Sequence, residues 1–145
     1  MNDSSGWERL ICDYFFSVCV RILGPYFQSF GFIEEKSKIS GVVFRRNDIF
    51  VEVSYLPESA PNYSPSLIIG IGSSKYDDTG KTTGLPAWAI LSESDEARKY
   101  SFWRFSDDEE LASVLARLKF EIIQPHIRPF WEDRARLERA IECFD

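Results

Sequence analysis

Val42-Val43-Phe44-Arg45-Arg46-Asn47-Asp48-Ile49-Phe50-Val51-Glu52-Val53-Ser54-Tyr55 is the stretch that decides the fold class. From Ile49 onward the pattern alternates. Ile49, Val51, Val53 and Tyr55 share one face of an extended strand, and Phe50, Glu52 and Ser54 the other. Val42 to Arg46 is also strand-like. Asn47-Asp48 between the two runs suits a two-residue hairpin turn, which makes the pair antiparallel.

Before this hairpin, Phe32 to Lys36 predicts a short strand. Earlier still, Trp7, Leu10, Ile11, Tyr14, Phe15, Val18, Ile22, Tyr26, Phe27 and Phe30 recur at helical spacing. Ser4 and Ser5 are candidate N-caps, with Glu8 closing a capping box, and Gly31 is the stop. Pro25 lies inside the pattern, where a missing N–H predicts a kink. The helix would be roughly 36 Å long, enough to cross a sheet.

After the hairpin, Pro57 to Pro65 is a break and Leu67 to Ile71 an apolar, β-branched strand. Ser73 to Gly84 is polar. Leu85 to Leu91 is apolar around Trp88, and reads as a short strand or an irregular turn. Ser92 to Lys99 is charged. Tyr100 to Phe105 predicts a last strand. Ser106-Asp107-Asp108-Glu109 reads as a capping box, with its acids where the helix dipole favours them. Leu111, Val114, Leu115, Leu118 and Ile122 form the stripe of that helix. Pro125 and Pro129 divide it from a final helix over Pro129 to Phe144, with Trp131, Leu137 and Ile141 apolar.

Helix, then strands, then helices is an α+β order. The expectation is one domain over residues 1–145. A long N-terminal helix packs on a mainly antiparallel sheet of about four to six strands, followed by C-terminal helices.

Composition narrows the function classes. The chain carries 23 acidic and 17 basic side chains, a net charge of −6. That charge repels phosphate backbones and argues against nucleic acid, while favouring basic partners. Twelve phenylalanines, six tyrosines and four tryptophans supply a core without disulfide staples. Three cysteines cannot form a closed disulfide framework. Cys12 and Cys19, seven apart on one helix, are roughly 10 Å apart and cannot pair. Buried free thiols are expected. The longest strongly apolar run, Tyr14 to Val20, is too short to span a bilayer, and Asp3, Glu8, Arg9 and Asp13 break any signal peptide. No membrane association and a cytoplasmic location are expected.

Motifs with catalytic or cofactor meaning fail on inspection. Thr79-Gly80-Lys81-Thr82 resembles the tail of a phosphate loop, but Lys75 stands where the first glycine belongs. Gly84 and Pro86 also oppose the helix that should follow. Gly70-Ile71-Gly72 lacks the third glycine of a dinucleotide fingerprint. His126 is the single histidine, so histidine catalysis would need it, and it sits at a helix junction. Scattered cysteines with no C-x-x-C give no zinc spacing. Glu34-Glu35 and Asp77-Asp78 are carboxylate pairs, but adjacency does not make two carboxylates converge on a substrate. The reading is a chain with no catalytic, cofactor or metal residues assigned.

The helix ending Tyr26-Phe27-Gln28-Ser29-Phe30-Gly31-Phe32, followed by the hairpin Val42 to Arg46 and Ile49 to Val53, resembles small bacterial α+β proteins of unknown function. Some of these are immunity proteins of secreted or contact-dependent toxins. The likeness covers about the first half of the chain and carries no family residue across. It implies an acidic, aromatic-rich cytosolic protein that binds another protein.

Two function classes follow. The first is a non-enzymatic protein-binding domain, immunity-like, that occludes a basic partner through Asp77, Asp78 and Trp88. Tryptophan is a usual interface anchor and acids steer a basic partner. The second is a small-ligand-binding protein or an unrecognised enzyme, with an aromatic-lined pocket where Arg45, Arg46 or Arg104 meets an anionic group. Arg45 and Arg46 otherwise read as edge charges that discourage strand pairing. A homo-oligomeric accessory role is the remaining class.

Overall fold

The hairpin forms as its pattern requires. In a computed structural model describing residues 4–36, 41–55, 62–72, 83–91, 99–100 and 103–144, β2 (Gly41–Arg46) pairs antiparallel with β3 (Ile49–Tyr55). Arg46 is opposite Ile49, so Asn47-Asp48 is the whole turn, and Asn47 adopts a φ of 55°. β1 (Ile33–Lys36) precedes them, and β4 (Pro65–Ile71) and β5 (Gly84–Pro86) follow. The five strands form one antiparallel meander in the order β1-β2-β3-β4-β5.

The alternation read from β3 is the alternation of burial. Ile49, Val51, Val53 and Tyr55 face the main core with Val42, Phe44, Leu67, Ile69 and Leu85. Phe50 and Val43 are buried on the opposite face, outside that core. Phe50 is opposite Gly70, and Gly70 is opposite Gly84. A methyl group on Gly70 would approach the Thr83 carbonyl oxygen to 2.4 Å, the Gly84 Cα to 2.6 Å and Phe50 to 2.7 Å. Glycine here lets two backbones and a ring meet.

Helix α1 (Ser4–Gln28) lies on the core face and packs on β1 and β2. Pro25 sits in its last turn without ending it. The helix closes in a Schellman motif. Phe32 N–H donates to the Phe27 carbonyl at 3.1 Å and Gly31 N–H to the Gln28 carbonyl at 3.0 Å. Gly31 has a φ of 87°, and Phe27 and Phe32 make the hydrophobic contact of the motif with ring centroids 5.4 Å apart. Phe15, Val18 and Phe27 of the sequence-read stripe are buried, but Cys19 and Leu23 take core places that the reading gave to Ile22 and Tyr26. Phe15, Cys19, Leu23 and Phe27 are fully buried, while Ile22 and Tyr26 are only partly covered.

The second half departs further from the sequence reading. The apolar run around Trp88 is strand β5 followed by one helical turn, α2 (Ala87–Ile90). Among the described residues of the strand expected over Tyr100 to Phe105, none lies in a strand of the sheet. Residues 101 and 102 lie outside the described residues, Tyr100 sits in a helical turn, and Phe105 makes an isolated bridge to Tyr63. Phe105 reaches the core through that bridge, packed on Tyr63 and Phe15. The capping box is also one residue later. The N-cap of α3 (Asp108–Arg117) is Asp107, whose Oδ1 accepts from Glu110 N–H at 2.8 Å. Glu110 reaches back to Ser106 N–H at 2.9 Å.

Pro125 does not end that helix. α3 runs on as a π-helical segment, Leu118–Ile127, which contains Pro125. Its last bond is the wide kind, with Arg128 N–H donating to the Ile123 carbonyl. A wider turn relieves the clash of the proline ring with the preceding turn, and the N–H that proline lacks leaves one bond of the run unmade. α4 (Arg128–Glu132) follows, with Pro129 in its first turn, and α5 (Arg134–Phe144) begins after a break at Asp133. α5 covers β4 and β5. The thiols divide: Cys19 is buried in the core, where burial pushes its thiol well up from the usual value, while Cys143 is exposed. No described helix is long and apolar enough to cross a membrane.

Candidate functional site

Of the three residues expected to bind a partner, Asp77 and Asp78 lie outside the described residues. Trp88 is described, at the second position of α2. The turn holds Ala87 in the core and directs Trp88 outward, so its side chain is 44% exposed. Phe144, 40% exposed at the end of α5, meets it edge-on with ring centroids 6.2 Å apart. Beneath this pair, Tyr100 is buried and hydrogen-bonded to the Trp88 backbone. Burial dominates and pushes its hydroxyl up to about 12. An aromatic pair standing on a fixed base is suited to insertion between a partner's side chains.

The arginines expected to meet an anion are engaged elsewhere. Arg45 bonds the Glu35 carboxylate at 3.0 Å and the Gly72 carbonyl at 2.7 Å. Arg46 is not an edge charge, since β2 is an inner strand. Its Nη1 donates to the Phe30 carbonyl at 2.9 Å and its Nη2 to the Trp131 carbonyl at 3.1 Å, and its guanidinium lies 5.1 Å from the Phe32 ring centre. One side chain thereby ties the end of α1, the hairpin and α4. The exposed Arg104 donates to the Trp103 carbonyl. His126 is half-buried within the π-helical segment. Among the described residues no three His, Cys, Asp or Glu side chains gather to hold a metal ion.

A second feature was missed by sequence reasoning. α1 and the α3–π helix lie side by side. Tyr14 stands near Asp107, Asp108 and Glu110. Burial first, then Tyr63 and those acids, push its hydroxyl up to about 12. Further along, the Tyr26 hydroxyl donates to Gln124 Oε1. The two helices therefore run in the same direction. Between them is an open groove of about 730 Å³. Its apolar lining includes Ile22, Pro25, Phe30 and Phe120, and Arg21 and Lys119 stand on opposite walls. Phe120 is 70% exposed. The far end is closed by a packed aromatic cluster in which Trp131 touches Tyr26, Phe27, Phe30 and Phe32, with centroids 5.2–6.3 Å apart.

Two sequence signals mark this groove in retrospect. Phe120 is a large aromatic outside the stripe of Leu111, Val114, Leu115, Leu118 and Ile122. Ile22 and Tyr26, assigned to the buried stripe of α1, are its neighbours once Cys19 and Leu23 take the core positions. No protein-family model, curated protein or solved structure matches the chain.

Proposed function

We propose that this chain is a non-enzymatic protein-binding domain, immunity-like in that it occludes the working surface of a basic partner. The observation that carries this reading is the half-exposed Trp88 braced edge-on by Phe144. Large aromatic side chains that stay half in water on a rigid base are the side chains that dominate interface energies. The net charge of −6 supports a basic partner, because it speeds encounter with a surface of opposite sign. Asp77 and Asp78 belong to the proposal as steering charges.

The test begins with gentle purification from the native cytosol and mass spectrometry of what travels with the chain. Binding of the purified partner is then measured by calorimetry. Trp88→Ala should weaken it about 30-fold, the effect of losing an interface anchor. Asp77→Ala with Asp78→Ala should slow association and flatten its salt dependence. Unchanged affinity in Trp88→Ala removes the site. A retained small molecule with no stoichiometric protein removes the class.

A further inference from the structure

The groove between α1 and the π-helical segment has a distribution of charge that its surroundings do not require. Three arginines of the C-terminal helices are paired at i, i+4: Arg117 with Glu121, Arg128 with Glu132 and Arg134 with Glu138. Arg21 has Ser17 and Pro25 at those positions, and Lys119 has Leu115 and Ile123. Neither has a carboxylate partner among the described residues, and the contact of Lys119 is the Phe120 ring, 4.8 Å from its ammonium.

The two cations come from different helices that border one groove. Tyr26 is bonded to Gln124 across two helices running the same way. Five residues earlier on each wall are Arg21 and Lys119. Two cations without a carboxylate partner among the described residues therefore border the groove, one from each helix. Past them the lining is Ile22, Pro25 and Phe30, with Phe120 on the rim. Its volume of about 730 Å³ lies within the range of small-molecule sites. π-helical turns of this kind occur frequently at functional sites.

We infer that this groove binds an amphiphilic carboxylate, its head held between Arg21 and Lys119 and its apolar body lying along Ile22, Pro25, Phe30 and Phe120. One anionic group can satisfy two cations that border the same groove, and an unbranched apolar body fits a trough between two helices. The groove is a different surface from Trp88 and does not depend on the protein-binding reading.

The probe is decanoate, titrated below its micelle concentration into the full chain, by calorimetry and by amide NMR shifts. Decan-1-ol and decyltrimethylammonium are the controls. Decanoate should bind at one site and shift the amides of Arg21, Lys119 and Phe120. Arg21→Gln with Lys119→Gln should weaken it about tenfold, with an unchanged urea midpoint, and added salt should weaken the native complex. Phe120→Ser should weaken decanoate and decan-1-ol alike. Trp88→Ala should leave decanoate binding as it was, which separates this site from the partner surface. The inference is overturned by no binding, by equal binding of decyltrimethylammonium, or by a double variant that binds as well as the native chain. It is overturned equally by a dimer in sedimentation that Phe120→Ser dissociates, since a second copy would then cover the groove.

Discussion

Replacing Arg46 with methionine should destabilise the fold as a core mutation does, although the residue is a charged one at a hairpin. The guanidinium makes two hydrogen bonds to main-chain carbonyls, Phe30 at 2.9 Å and Trp131 at 3.1 Å, and lies over the Phe32 ring. Each hydrogen bond from a charged donor is worth about 1.5–3 kcal/mol. The ring contact adds about 0.5–1 kcal/mol. Arg46 is only half-buried, so solvent returns part of this, and the net loss is roughly 2–4 kcal/mol. Methionine keeps the apolar stem, so the loss is in the polar contacts and not in packing. For a chain of this size each kcal/mol lowers Tm by about 2–4 °C, giving a fall of roughly 4–16 °C. Arg46→Lys should recover about half, because one ammonium lacks the fork that reaches both carbonyls. The assay is urea unfolding followed by tryptophan fluorescence, with the slope against denaturant checked for constancy. If Arg46→Met stays within about 0.5 kcal/mol of the native chain, the residue behaves as an ordinary surface charge and the tie between α1, the hairpin and α4 is refuted.

The remaining expectations concern single residues. Asp48 receives two bonds from Arg134, at 2.5 and 2.7 Å, which hold its carboxyl below the usual aspartate value. A depressed pKa in the folded state contributes stability above the unfolded value, lost as pH falls through the folded one. Asp48→Asn should therefore flatten the loss of stability below about pH 4, and an acid titration of the urea midpoint with the same slope as the native chain would contradict this. Gly70→Ala should cost about 1–3 kcal/mol and unprotect the amides of β5, because its methyl would strike the backbone at Thr83 and Gly84. Gly24→Ala should instead stabilise by about 0.4–1 kcal/mol, since that methyl meets only Val20 at 3.5 Å inside a helix; thermal melts of the two variants should move in opposite directions. Cys143 should react with iodoacetamide in the native state and Cys19 only after unfolding, by peptide mass mapping.

The α+β order, the hairpin register and the buried face of β3 were legible in the chain itself. Those features depend on neighbours close in sequence: a period of two, a two-residue turn, a glycine after a helical stripe. Residues 42–55 carry that information without help from the rest of the molecule. Where two local signals competed, the tertiary structure decided. Pro125 argued for a helix break, yet the chain continues through it by widening the turn. Tyr100 to Phe105 argued for a strand, yet Tyr100 is buried in a helical turn and Phe105 reaches the core through one bridge to Tyr63. The sequence reading of α1 placed Ile22 and Tyr26 in the core, and that error concealed the groove.

Sequence alone therefore determined which segments are helix and strand in the first half, and that the protein is acidic and rich in aromatic residues. It did not determine what those aromatics and cations face. Arg46 and Trp131 are 85 residues apart, and Tyr26 and Gln124 are 98. Contacts at such separations arise from packing two helices and a sheet on one core, and no local pattern encodes which side chains the packing leaves uncovered. Arg46 became a half-buried tie, while Arg21, Lys119 and Phe120 were left bordering a groove, because core packing claims one side of each helix and leaves the other to whatever binds there.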